Sequence, residues 1–131
     1  LKGMEIEKRS LRAQGAVGAY EQAVALDPGF ALAWAKLSGR RSWNHSSPEE
    51  GEAARTAAER ALGLAPSRPE GYRALGVYYN RVRHDPEKSL EALARGLSLA
   101  PHDAGLLLHQ GAIERQLGRW DEALAHVRRA R

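Results

Sequence analysis

Five histidines, His45, His84, His102, His109 and His126, are the side chains of this sequence best suited to metal binding or general-base work. A zinc site on a helix needs two ligands about four residues apart or a His-Glu-x-x-His run, and these histidines are spaced for neither. Surface or turn positions are the expectation for them. Cys is absent, which removes a thiol nucleophile, a thiolate metal site and a disulfide scaffold. There is no Gly-x-Ser-x-Gly elbow, no Gly-x-x-x-x-Gly-Lys phosphate loop and no dinucleotide fingerprint. The adjacent carboxylates Glu49 and Glu50 stand where a helix should start, and complementing that helix's dipole suffices as their role. The residues therefore name no catalytic group, no metal and no cofactor, and the expectation is a protein that is not an enzyme.

Charge is the other resource. Lys and Arg number 20 against 16 Asp and Glu, a formal net charge of +4. That balance leans towards acidic partners, but the two signs are interspersed, which favours a mixed surface over a nucleic-acid stripe. The pairs Arg40 with Arg41 and Arg128 with Arg129 suit phosphates. The aromatics that would have to stack bases are mostly needed in the core described below, which argues against nucleic acid as the partner.

Any such surface must be carried by helices. The chain has 131 residues, 43% of them hydrophobic and 27% charged, enough for one folded domain without cross-links. Its apolar residues are mostly Ala and Leu, with one Phe and one Met, and scarce β-branching favours closely packed helices over a sheet. No apolar run approaches the roughly eighteen residues needed to span a membrane, and the N-terminus lacks a secretory signal. A cytoplasmic location is the expectation, with a periplasmic segment of a membrane-anchored parent as the alternative. The chain starts at Leu1 and stops within an amphipathic run at Arg131, so it is expected to be a fragment of a longer protein.

Three segments share one frame at a period in the mid-thirties: ALDPGFALAWAKLS from Ala25, GLAPSRPEGYRALG from Gly63 and SLAPHDAGLLLHQG from Ser98. Each places Leu two residues before a proline (Pro28, Pro66, Pro101) and a large apolar residue after it (Trp34, Tyr72, Leu107). A small residue follows one turn later (Ser38, Gly76, Gly111), and another precedes the proline (Ala23, Ala61, Gly96). Each proline ends one helix and lets the next begin. Ser47 with Pro48 and Glu50, Asp85 with Pro86, and Gly118 before Trp120 mark a second break in each unit. Helices are predicted over residues 1–9, 12–26, 30–44, 48–64, 69–83, 86–99, 103–117 and 120–131. Each unit is a helical hairpin too thin to bury its own apolar stripe, so stacking must supply the core. Trp34, Tyr72, Tyr79, Leu107 and Trp120 are expected to fill the space between neighbouring hairpins.

This frame resembles the tetratricopeptide repeat. The likeness rests on Tyr72, Leu75, Gly76, Tyr79, Leu93, Gly96 and Pro101 in the third unit. The fourth adds Leu107, Gly111, Gly118, Trp120, Ala123, Val127 and Ala130, and the first adds Ala16, Tyr20, Ala23 and Pro28. It implies a single all-α domain, a right-handed solenoid of about four hairpins over residues 1–28, 29–66, 67–101 and 102–131. Three departures stand out. About four extra residues lie in Asn44 to Pro48, which should loosen that turn. Arg41 occupies a core aromatic position. Gln110 and Glu114 replace apolar residues, so that helix should present a polar edge to a further helix or to solvent.

The resemblance also implies a function: a scaffold that binds a peptide or protein partner in a concave groove lined by the first helix of each hairpin. The corresponding positions are Leu32, Ala35, Lys36, Gly39 and Ser42, then Glu70, Arg73, Val77 and Asn80, then Gly105, Leu108, His109, Ala112 and Arg115. Trp43 flanks them. Lys36, Arg73, His109 and Arg115 make this groove basic, suited to an acidic segment or a C-terminal carboxylate. The family's carboxylate clamp is not reproduced, because Val77 follows Arg73 and His109 stands where an Asn is required. The last helix, with Leu124, Val127 and Ala130 on one side, is a second expected surface, for self-association or a further repeat. The run EQAVALDP leading into FALAWAKLS is similar to repeat arrays of bacterial signalling proteins. This makes a regulatory or recruitment segment of a kinase or cyclase the alternative, with an RNA-binding repeat protein as a third reading.

Overall fold

The structure, a computed structural model, describes residues 15–131. The helix expected over residues 1–9 and the start of the next lie outside the described residues. Every regular element described is a helix: α1 (residues 15–26), α2 (Ala31–Asn44), α3 (Pro48–Leu64), α4 (Glu70–Arg81), α5 (Pro86–Leu99), α6 (Ala104–Gln116) and α7 (Trp120–Arg129). Local chemistry sets these limits. At Pro28, Pro66 and Pro101 the chain makes the same turn, closed by Phe30 N–H to Asp27 O, Arg68 N–H to Ala65 O and Asp103 N–H to Ala100 O at 3.0–3.2 Å. Ser47 and Asp85 cap α3 and α5, accepting from the amides of Glu50 and Lys88, with proline as the first helical residue of each. Just past the end of α6 stands Gly118, whose φ of +77° only glycine adopts readily.

The helices pair as hairpins, α2 with α3, α4 with α5 and α6 with α7, and the hairpins stack in order: α4 lies on α2 and α3, and α6 on α5. The core is accordingly a row of clusters rather than one centre. Val24, Ala33, Leu37 and Ala57 join α1 to the first complete hairpin. Ala35, Ala58, Ala61 and Ala74 join that hairpin to the second. Leu93, Leu97, Leu106, Leu107 and Ile113 join the second to the third. Small residues make the close crossings: a Cβ added at Gly76 would lie 2.8 Å from Leu93 Cδ2. Two buried hydroxyls tie the crossings further, Ser38 Oγ donating to Ala54 O and Ser89 Oγ to Gly76 O, both at 2.6 Å.

Several expectations need correction. Trp120 is 64% exposed rather than wedged between hairpins; Gly111 and Ala123 close the α6–α7 crossing, and Trp120 is turned outward beside Leu124. Tyr78 is the fully packed tyrosine of α4, while Tyr79 is only half-buried. Glu114 offers no polar edge. It is buried against α7, where its carboxylate meets His126 Nδ1 at 2.5 Å. The turn after α2 is tied by hydrogen bonds, His45 Nδ1 to Ser42 O at 2.8 Å and Ser46 N–H to Glu50 Oε2 at 2.7 Å. Arg41, in place of a core aromatic, is partly exposed and lies 3.7 Å from the Glu21 carboxylate of α1.

Candidate functional site

Along α2, Leu32, Lys36 and Arg40 recur every four residues and share a face, while Ala33 and Leu37 are buried on another. The exposed face lines a cavity of about 320 Å³ against α4, completed by Tyr20 of α1, Glu70, Arg73 and Val77 of α4, and His109 of α6. A second cavity of about 180 Å³ lies between α4 and α6 and adds Asn80, Arg81 and Ala112. Trp43, Val77 and His109 belong to both, so the two adjoin as one groove.

Its electrostatics follow from a few contacts. Arg73 donates to Asp103 Oδ1 at 3.2 Å, and the same oxygen caps α6 by accepting from Leu106 N–H at 3.0 Å. One carboxylate thus fastens α4 to the start of α6. Gly105 makes room for it, since a side chain there would collide with the Arg73 guanidinium; Gly105 is partly buried and lies outside both cavity linings. Glu70, the one carboxylate lining either cavity, pairs with Arg68 at 3.0 Å. The Arg68 hydrogen bond holds the Glu70 carboxyl below its usual range, so it stays ionised. Arg81 lies over the Trp43 indole, Cζ 3.2 Å from the ring centroid, yet Trp43 is 57% exposed.

Burial, reinforced by the Arg73 charge and opposed by Asp103, pushes the His109 imidazole below the ordinary histidine range. It is therefore neutral near pH 7 and adds no charge to the groove. As pH falls below about 6.5 the unfolded chain protonates this histidine before the folded one does. Its contribution to stability is then lost progressively until the folded pKa is passed. His109→Gln should accordingly lose less stability than the wild type between about pH 7 and pH 5, measured by urea unfolding at each pH. Parallel losses in the two proteins would contradict the assignment.

Of the residues expected in the groove, Lys36, Trp43, Arg73, Val77, Asn80, His109 and Ala112 are brought together at these cavities. Arg115 is exposed and lies outside their linings. Ser42 is fully buried and lies outside both linings too, a correction to its expected place. Arg40 and Arg81 were not expected to line the groove. Arg40 was legible, four residues after Lys36 on the same stripe; Arg81 was not, because its place depends on how α4 lies against α2.

Among the described residues no three His, Asp or Glu side chains gather as a metal-binding set, and no helix is long and apolar enough to cross a membrane. A scan of protein-family models finds no match to the chain, and neither does a comparison with curated proteins. Solved structures do match. Two titled "Crystal structure of MamA" and "Crystal structure of MamA protein" each share 24% identity over 90% of this chain, with TM-scores of 0.65 and 0.64. A third, "MamA RS-1 ArsTM double mutant", shares 20% over 94%, with a TM-score of 0.65. The chain spans 66%, 62% and 66% of their lengths respectively. At this identity the likeness establishes the fold, a tetratricopeptide-like stack of helical hairpins.

Proposed function

We propose that the chain is a protein-interaction scaffold that holds an acidic, extended segment of another protein along α2, α4 and α6. The observation that carries this reading is the charge of the groove: Lys36, Arg40, Arg73 and Arg81 line it against Glu70 alone. With Arg73 engaged by Asp103 and Glu70 by Arg68, Lys36, Arg40 and Arg81 supply the excess. A shallow, open, cationic groove suits side-chain carboxylates on an extended backbone better than it suits a small molecule, which needs an enclosed apolar pocket. No observation in the structure favours the regulatory-segment or RNA-binding alternatives.

Lys36→Glu with Arg40→Glu should weaken binding of short fluorescein-labelled Asp/Glu-rich peptides by at least about tenfold, and wild-type affinity should fall as salt rises. Both side chains are exposed, so helicity should be unchanged by circular dichroism. Equal affinity of the wild type for acidic peptides and their Gln counterparts would remove the groove reading.

A further inference from the structure

We propose that Trp43 sets the specificity of this groove by taking one bulky apolar side chain of the bound segment on its open face. The inference rests on the groove reading and narrows it: the partner is an acidic segment with an aromatic or large aliphatic residue at a fixed distance from an acid.

Trp43 stands where the two cavities meet and is more than half exposed. Arg81 covers one face of the indole, at 3.2 Å from the ring centroid, and so restrains the ring without hiding it. A large aromatic already held in place loses little freedom when a ligand packs on it, which is how tryptophan comes to dominate binding sites. The buried Val77 and the small Ala112 beside it leave an apolar floor.

Spacing makes the inference specific. Lys36, Arg40 and Trp43 fall on one stripe of α2, and from Lys36 to Trp43 the helix rises about 10 Å. An extended segment of polyproline-II type rises about 3.1 Å per residue and returns to the same face every third residue. An apolar side chain three places from an acid therefore reaches Trp43 when the acid meets Lys36. The charge complement is already present, since Arg40 lies between the two and Arg81 sits on the Trp43 ring itself.

The test uses four labelled Ser/Gly-based peptides: one acidic with Phe three places from an acid, one with that Phe replaced by Ala, one with the Phe moved by a single place, and one with the acids replaced by Gln. The wild-type chain should bind the first about tenfold more tightly than the second or third, with a change in tryptophan emission. Trp43→Ala should abolish both the preference and the emission change while helicity and melting stay as they were, and Trp43→Phe should keep part of the preference. If the wild type binds the first three peptides equally, or Trp43→Ala retains the preference, this inference fails while the groove reading stands, provided the Gln peptide binds more weakly. If the Gln peptide binds as well as the acidic ones, both fail.

Discussion

Replacing Leu93 with Ala is expected to cost about 3–4 kcal/mol of unfolding free energy. Leu93 is fully buried, and its branched end lies where a side chain on Gly76 would have to go. It therefore fills the crossing of α4 and α5 from inside the hairpin. It also belongs to the cluster of Leu97, Leu106, Leu107 and Ile113 that joins this hairpin to the next. The small side chain of Ala cannot reach both sets of partners, and the backbone, fastened by the Ser89 hydroxyl to Gly76 O, is poorly placed to collapse around the void. In a stack each hairpin is held by its neighbours alone, so the loss should also lower cooperativity between the second and third hairpins. Leu124→Ala is the contrast, since Leu124 is about half exposed and its removal should change stability by no more than about 0.5 kcal/mol. Urea unfolding followed by circular dichroism compares the two. Similar losses would mean that the hairpins do not stack as described.

His126→Ala should also be damaging, at about 2 kcal/mol, because it orphans a buried hydrogen-bonding group. Glu114 is 3% exposed, and its carboxylate is in contact with the His126 ring across the α6–α7 crossing. Truncating the histidine leaves the buried Glu114 side chain without its hydrogen-bond partner, which costs more than removing both polar groups together. The combined variant Glu114→Leu with His126→Ala removes both polar groups and should recover most of the loss. A double-mutant cycle then gives a coupling above about 1 kcal/mol. Single-variant costs that simply add would show that the pair contributes nothing.

These two sites show what kinds of feature a sequence reading reaches. Leu93 and Gly76 were both recognisable from the repeat frame, because a small residue recurring one turn after a large one marks a helix crossing wherever it occurs. Glu114 was misread. A polar residue at an apolar position is ordinarily turned outward, and the histidine that satisfies it lies twelve residues away on another helix. Trp120 failed in the opposite sense: its place in the frame was right, but the α6–α7 crossing is made by Gly111 against Ala123 and Val127, and the indole lies exposed. In the groove, Lys36 and Val77 were placed by the resemblance to the tetratricopeptide repeat, whereas the Arg73–Asp103 fastening and the Arg81–Trp43 stack join residues some thirty to forty positions apart.

Among the described residues, helix limits to within two or three positions and the pairing of helices into stacked hairpins were legible in the sequence, because prolines, caps and small residues mark where each helix ends and where it crosses its neighbour. Which charges in the groove are engaged, which histidine is kept neutral and which tryptophan is left open were decided only when separate hairpins came together. Those properties depend on distances between side chains of different helices, and no local pattern encodes them.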